Sequence, residues 1–449
     1  MDLIPGIPGF AYPDLHDAAR LRDLYDVFMA ELRAVDPALA DRYDAWRAAP
    51  DALGPIDASA ILTATAPHVS AFVARLFGID DERALLRAGI RAHDPVFRFK
   101  IDLVRRRALA RGKAGVTPEA AAATAAAAEA DLSTLHADPR WPFAPRPDAA
   151  PATPSDPPLP ARPADTANVV DRHDRRSDDL EAQTARLACV LLDAEAHAKA
   201  SGPAAPLPEP ARGVVAALRD ALGIGDRDGV DDGVDDAAVV ARVIAHLAAW
   251  CAARVHDPVG HPETAGWVSF RAPEPTDYDA LVRIERPRAD VPEVIEGPHA
   301  AWRRRDGFAL TDQRMDQREV LAEVHYCIYC HERDKDSCSK GLHTPDGAYK
   351  TNPLGIVLDG CPLDEKISEA HVLMRDGDPL GALALVMVDN PMCPGTGHRI
   401  CNNCMKGCIY QTQDPVNIPQ IETGALTDVL RLPWGVEIYG FLTRWNPLN

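Results

Sequence analysis

The chain has 449 residues, with 48 Lys and Arg against 67 Asp and Glu, which gives a formal net charge of −19. This length allows two or three domains, each with a core of its own. The strong negative charge argues against nucleic acid as a partner, because such a surface repels a phosphate backbone.

The amino-terminal residues lack the basic segment and apolar core of a signal peptide. The longest apolar run, "GALALVMV" at 381–388, is much shorter than the roughly 20 residues of a membrane-spanning helix. We therefore expect a cytoplasmic protein with no membrane partner.

Helices are predicted for most of the chain. Residues 1–135 form a helical region, because apolar residues recur at helical spacing in stretches such as "DLHDAARLRDLYDVFMAELRAV". Residues 136–170 are dense in Pro, Ala and Asp and are predicted to be a linker. A second helical region, 171–320, is interrupted by an acidic loop at 223–236, which matches neither a dinucleotide loop nor a calcium loop. Residues 321–449 form the last predicted domain.

Short strands are predicted in this last domain. "GIVLDG" at 355–360 has the composition of a strand, and 370–388 is predicted to be a hairpin that turns at Asp376-Gly377. The predicted fold class is therefore mainly α, with a small α+β domain at the carboxy terminus.

Eight of the ten cysteines fall in the last third of the chain. They are Cys327, Cys330, Cys338, Cys361, Cys393, Cys401, Cys404 and Cys408. The other two, Cys189 and Cys251, lie in apolar helical stretches and are interpreted as buried small hydrophobic residues. In a reducing cytosol, clustered cysteines indicate metal ligands rather than disulfides. Eight thiols would serve two centres with four ligands each.

Two kinds of metal centre fit this spacing. Cys-x2-Cys pairs suit structural zinc, so a zinc-stabilised scaffold or interaction protein is the alternative hypothesis. The tight triplet Cys401, Cys404 and Cys408, and the prolines after Cys361 and Cys393, favour [4Fe-4S] clusters. Spacing alone leaves open which cysteines share a centre.

Histidines and lysines flank the cysteines. The histidines are interpreted as hydrogen-bonding neighbours, because eight thiols need no further ligand. The lysines either offset the charge of a cluster or are solvated. These residues are His325, His331, His398, Lys335, Lys340 and Lys406.

The block "GHRICNNCMKGCIYQTQDPVNIPQIETGALTDVL" resembles the cluster-binding domain of the glutamate synthase small subunit and of the amino-terminal domain of dihydropyrimidine dehydrogenase. Residues 321–449 also resemble a group of large bacterial pyridine nucleotide-disulfide oxidoreductases. The resemblance implies two [4Fe-4S] clusters with interleaved ligands. One would be held by Cys327, Cys330, Cys338 and Cys408, and the other by Cys361, Cys393, Cys401 and Cys404. Gln411 would be a minor alternative ligand.

The same resemblance implies a function. In the relatives, flavin-binding and nicotinamide-binding domains follow, whereas no GxGxxG fingerprint occurs in this sequence. We therefore expect FAD and NAD(P) only on a partner or a further domain, with a flavoprotein subunit or domain as the partner. The hypothesis is an iron-sulfur electron-transfer module of an NAD(P)H/flavin-dependent oxidoreductase. It would relay electrons between a flavin and another redox site, and it has no predicted catalytic residue of its own.

Overall fold

The computed structural model describes residues 5–109, 179–202, 205–222, 234–258, 260–282, 284–297 and 313–449. The predicted linker at 136–170 and most of the predicted acidic loop at 223–236 lie outside these residues. The chain divides into two compact units. The first contains Met1–Arg91 and Pro273–Asn449, and the second contains Ala92–Ala272.

The protein is mainly α-helical, as predicted. In chain order the helices are α1 (Ala18–Val35), α2 (Pro37–Ala48), α3 (Pro55–Phe77), α4 (Asp80–Arg91), α5 (Asp94–Arg98), a π-helix (Phe99–Ala108), α6 (Leu180–Ser201), α7 (Ala211–Leu222), α8 (Asp236–His256), α9 (Gln317–Tyr326), α10 (Ser337–Lys340), α11 (Ile367–Arg375), α12 (Pro379–Asp389), α13 (Cys393–Thr396), α14 (Asn403–Gly407), α15 (Ile418–Arg431) and α16 (Gly435–Leu442). Short 3-10 helices lie at Tyr12–His16, Pro50–Ala52, Pro262–Thr264 and Cys330–Arg333.

The predicted hairpin at 370–388 is wrong, since this segment forms α11 and α12. Gly377, at φ +79°, ends the first helix. Asp378 then begins the second by accepting a hydrogen bond from the amide of Gly381 at 3.2 Å, with Pro379 in the first turn. Helix α12 is buried on every face, so its apolar residues show no helical period.

The predicted strand at 355–360 is also wrong. This segment lies in a loop, where the β-pairing consists of isolated bridges such as the one between Thr351 and Val357. Across the described ranges there is no strand longer than such a bridge. The small α+β domain is therefore not supported, although the main class is.

The first unit has one core to which both ends of the chain contribute. Helix α3 packs against α11 and α12, and α12 packs against α15. Near the carboxy terminus, the ring of Trp445 stacks on Phe72 of α3 at 5.4 Å and on Phe441 at 5.2 Å between centroids. The hydroxyl of Tyr43 in α2 donates to the carbonyl of Pro447. The amino-terminal helices therefore support the cysteine-containing last third directly.

The second unit is built on α6, α8 and the π-helix. An aromatic group at its centre includes Trp250 and Phe270, with the guanidinium of Arg254 over the Trp250 ring at 3.9 Å from its centroid. Cys251 is fully buried in α8, and the thiol of Cys189 in α6 donates to a backbone carbonyl at 3.5 Å.

Two described helices, α3 and α8, are long and apolar enough to cross a membrane by length and composition alone. Within their most apolar windows, 61% and 50% of the residues are buried inside the protein. Core helices of soluble proteins meet the same criterion, and α3 has such a place in the first unit. These helices are therefore weak evidence for a membrane.

Candidate metal centres

Four predicted ligands, called here the first cysteine set, are brought together from three segments. Cys327 directly follows α9. Cys330 opens a 3-10 turn that the left-handed backbone of Tyr329, at φ 52°, makes possible. Cys338 lies in α10, and Cys408 directly follows α14. All four line one cavity, and each thiolate would feel the charge of others in the set.

Two contacts hold these segments in place. Helices α10 and α14 pack so closely that a Cβ on Gly407 would lie 2.7 Å from the carbonyl oxygen of Ser337. The rings of Tyr326, just before Cys327, and Tyr410, just after Cys408, stack at 4.4 Å with planes 7° apart. Both contacts join Cys408 to the other cysteines of the first set.

Burial dominates the electrostatics of the first cysteine set. It raises the pKa of Cys327 to about 12 and that of Cys330 to about 11, and it also raises the pKa values of Cys338 and Cys408. Four adjacent thiolates would repel one another as well. The set therefore stays protonated near neutral pH unless a positively charged centre stabilises the thiolates.

Backbone amides already point at two of these sulfurs. The amide of Tyr329 donates to Sγ of Cys327 at 3.4 Å. The amides of Ile409, Tyr410 and Val416 donate to Cys408 and partly offset the effect of burial on its pKa. Amide donors stabilise thiolate sulfur and tune the potential of iron-sulfur clusters.

The other four predicted ligands, called here the second cysteine set, adjoin the first. The amide of Cys361 donates to the carbonyl of Cys338 at 2.9 Å. The sulfur of Cys361 lies within electrostatic range of Cys401 and of Cys404 in α14. Cys393 begins α13, where it is buried. Cys401 is exposed, whereas the other seven predicted ligands are buried or partly buried.

Two carboxyl groups connect Cys393 with Cys404, because Glu365 and Glu422 interact with both. Burial raises the pKa of Glu365 to about 7 and that of Glu422 to about 8. The side-chain amide of Asn390 donates to Glu422 Oε1 at 3.1 Å. Neither glutamate is predicted from the sequence, since nothing in their local sequence links them to the cysteines.

Burial also governs three of the four thiols of the second cysteine set. It raises the pKa of Cys361 to about 11 and that of Cys393 to about 12, and it also raises that of Cys404. The amides of Leu363 and Glu365 donate to Cys361 and lower its pKa against this effect. The second set differs from the first in its fourth member, Cys401, which is exposed.

Sulfur donors in sets of four suit either zinc or an iron-sulfur cluster. Among the described residues, no three His, Cys, Asp or Glu side chains are placed to hold one metal ion. The four thiols of the first cysteine set line one cavity.

A polar chain extends from the first cysteine set. The thiol of Cys338 donates to Asp336 Oδ1 at 3.5 Å, and Ser368 donates to the same oxygen at 3.4 Å. The hydroxyl of Ser368 also contacts His331 Nδ1 at 2.6 Å. His331 is therefore joined to a predicted ligand through two side chains. His371, which the sequence analysis missed, is buried beside the same cavity, and burial lowers its pKa to about 3.

The remaining candidates have other neighbours. Gln411 donates through its amide to the backbone carbonyls of Lys406 (2.7 Å) and Cys408, and it lies outside the lining of the first cavity. The ammonium of Lys406 donates to Asn403 Oδ1 at 3.2 Å. His325 lies in α9, and His398 lies between α13 and α14. Lys335 and Lys340 line a larger cavity.

Only parts of the chain are similar to the known proteins that follow. An uncharacterized protein of Rickettsia prowazekii (strain Madrid E), RP006, is 67% identical over 58 residues, which are 13% of this chain and 8% of that protein. A second one, RP005, is 38% identical over 79 residues, which cover 15% of this chain and 25% of that protein. No solved structure matches.

The resemblance to glutamate synthase, dihydropyrimidine dehydrogenase and the pyridine nucleotide-disulfide oxidoreductases is wrong, since no iron-sulfur or oxidoreductase family was found. The spacings Cys-x2-Cys and Cys-x3-Cys let two thiolates reach one metal centre, so unrelated chains can share them. The family model that matches is the RP005 N-terminal alpha-helical domain, over residues 6–78.

Proposed function

We propose that this chain holds two [4Fe-4S] clusters and acts as an electron-transfer protein. The observation that carries the proposal is the first cysteine set, in which Cys327, Cys330, Cys338 and Cys408 come from separate segments to line one cavity. Backbone amides directed at buried sulfurs stabilise the thiolate, which is the form that binds metal. The second cluster is assigned to Cys361, Cys393, Cys401 and Cys404.

The relation between the two cysteine sets supports electron transfer rather than a purely structural role. They meet at α10, where Cys338 accepts the amide of Cys361, and at α14, which contains Cys404 and ends just before Cys408. The first set is mostly buried, and the second reaches the surface at Cys401. When bound, such clusters supply one-electron oxidation and reduction. The chain contributes their spacing, burial and amide donors, with an entry point at the surface.

A flavoprotein remains the proposed partner, with FAD and NAD(P) bound there and not on this chain. Flavins accept hydride from nicotinamides, and they also pass single electrons to iron-sulfur centres. The location proposed for this exchange is the cytoplasm, where free thiols persist. The exposed apolar residues Ile400 (69% exposed) and Met392 (64%) lie beside the second set and suit a protein contact there.

Anaerobic purification tests the proposal. The protein is expected to be brown, to contain about eight iron and eight sulfide per chain, and to lose visible absorption with dithionite. Cys189→Ser is the matched control, since this half-buried thiol lies outside both sets, and its iron content should equal that of the wild type. A colourless protein with stoichiometric zinc would refute the proposal in favour of the zinc-stabilised scaffold.

The pairing of ligands is tested with two further variants. Cys408→Ala should remove the same electron paramagnetic resonance signal as Cys330→Ala, because both residues line the first cavity. Cys404→Ala should remove the other signal, the one lost in Cys361→Ala. If Cys408→Ala and Cys404→Ala instead abolish one common signal, the interleaved pairing is incorrect.

A further inference from the structure

A cavity of about 850 Å³ lies in the first unit, next to the first cysteine set. Its walls include the start of α3, the segment 334–340, which contains α10, and the loop at 341–353. Ser337 and Ile409 line both this cavity and the smaller one that the cysteines share. Its volume lies in the range of about 300–1,000 Å³ that is typical of small-molecule sites.

The charges around this cavity are unusual for the chain. The sequence contains only eight lysines in a protein of net charge −19, and four of them, Lys335, Lys340, Lys350 and Lys366, line the cavity. Lys366 is paired with Asp389 at 3.1 Å. Lys335 and Lys350 have no ion pair in the described part of the chain. Two cations are therefore available to a bound anion.

Three carboxyl groups also line the cavity: Asp334, Asp336 and Glu369. Glu369 accepts a hydrogen bond from Ser59 of α3 at 2.6 Å through Oε1, and its Oε2 lies 4.0 Å from His331 Nδ1. Asp336 accepts from Cys338 and Ser368 through Oδ1. Against these three carboxyl groups stand four lysines, of which Lys366 is paired with Asp389, a residue that does not line the cavity. The rest of the lining is largely apolar, as at Leu62, Pro353 and Leu358.

We propose that this cavity binds a small organic anion, whose apolar body lies against the α3 wall while its carboxylate or phosphate pairs with Lys335 and Lys350. Charge-assisted hydrogen bonds from lysine suit such groups, and an apolar lining strengthens them by excluding water. The site is additional to the proposed cluster function and does not depend on it, because its lining contains none of the eight cysteines.

Two probes that differ in charge test the proposal on the whole 449-residue chain as purified anaerobically. 1-Anilinonaphthalene-8-sulfonate carries an anionic group on an apolar body, and N-phenyl-1-naphthylamine has the same body without the charge. We expect calorimetry to detect one site for the sulfonate, weakened at least about tenfold in Lys335→Gln and in Lys350→Gln. Lys199→Gln is the control of equal charge change, because this exposed lysine of α6 does not line the cavity.

Three results would decide the matter. Loss of sulfonate binding in the two cavity variants but not in Lys199→Gln, with binding of the neutral probe unchanged, supports an anion site. Equal loss of both probes would overturn it in favour of an apolar cavity without charge selectivity, and unchanged sulfonate binding in all variants would also overturn it. Iron content, measured on the same samples, reports separately on the cluster proposal.

Discussion

Gly407→Ala is the most direct test of how the first cysteine set is assembled. Gly407 lies just before Cys408, where α14 meets α10. A Cβ at this position would be 2.7 Å from the carbonyl oxygen of Ser337 and 3.0 Å from the Cα of Gly360. Both neighbours are backbone atoms, so no side-chain rotation can relieve the contact. The added methyl must push the two segments apart.

The size of this displacement follows from the contact distances. Ordinary contact begins at 3.4 Å, so the backbone around Ser337 must retreat by 0.7 Å, which is 3.4 − 2.7. Overpacking of this kind costs about 1–3 kcal/mol. The displacement also separates Cys338, next to Ser337, from Cys408, and so loosens the site that they share. We expect iron to fall below the wild-type content, with the larger loss at the cluster assigned to the first set, because Gly407 directly precedes Cys408.

Gly395→Ala is the matched control, because Gly395 lies beside the second cysteine set with no atom within 4 Å of an added Cβ. Gly to Ala at such a site usually stabilises a protein by about 0.4–1 kcal/mol. Iron content, the electron paramagnetic resonance signal of the first set and the melting temperature should therefore fall in Gly407→Ala. Gly395→Ala should keep the iron content and signals of the wild type and melt at a slightly higher temperature. If Gly407→Ala keeps the iron content and melting temperature of Gly395→Ala, the close packing of α10 and α14 is not what assembles the first set.

Three further predictions concern the core, pH dependence and thiol reactivity. Trp445→Ala should lower the free energy of unfolding by about 3–5 kcal/mol in chemical denaturation, because its ring is 5% exposed between Phe72 and Phe441; a loss below about 1 kcal/mol would contradict a shared core. Burial raises the pKa of Asp428 to about 7, against the opposing effects of Arg431 and Gln317, so the folded state holds a proton that the unfolded state loses near pH 4. The free energy of unfolding is therefore unaffected by this carboxyl group at low pH, and it falls as the pH rises from about 4 toward 7. Asp428→Asn should accordingly match the wild type at pH 4 and exceed it at pH 8 in urea melts, and equal curves at both values would refute the argument. In metal-free protein at pH 7.5, iodoacetamide should alkylate exposed Cys401 well before buried Cys338, as read by peptide mass spectrometry; equal rates would contradict their burial.

The helical class could be predicted from the sequence because α1 and α9, among others, carry clear local signals. Helix α1 begins at Asp17, whose carboxylate accepts from two amides of the first turn. Helix α9 begins with a capping box between Asp316 and Glu319. Such signals act within a few residues and need no knowledge of the fold.

The hairpin predicted at 370–388 is wrong because α12 is buried on every face, so its sequence shows no helical repeat of apolar and polar residues. A segment that is apolar on all faces reads equally well as a buried strand or a buried helix. Asp376-Gly377, predicted as the turn of the hairpin, instead separates α11 from α12. Asp378-Pro379 after it is a helix start, with an N-cap followed by proline, and this dipeptide favours a helix.

In the candidate site, too, local sequence predicts some residues, whereas tertiary packing alone brings in the others. The eight cysteines could be named as candidate metal ligands from spacing alone, since thiols within a few residues of one another are typical of such ligands. His371, Glu365 and Glu422 could not be found, because only the packing of α11 and α15 against neighbouring segments brings them beside the cysteines. Lys335 and Lys350, which have no ion pair among the described residues, likewise line the same cavity only because of the path of the chain between them.

The helix α3 connects the part of the chain that has known relatives with the part that holds the cysteines. It lies within the matched residues 6–78, and its contacts reach the 3-10 turn that opens at Cys330. Two of its buried hydroxyls have partners in the last third: Ser59 donates to Glu369 at 2.6 Å, and Ser70 donates to Asp378 at 2.5 Å. A buried hydroxyl without a partner costs about 1–3 kcal/mol. In this chain, the matched helical domain therefore has buried polar groups on α3 that need partners, and the cysteine-containing last third supplies them.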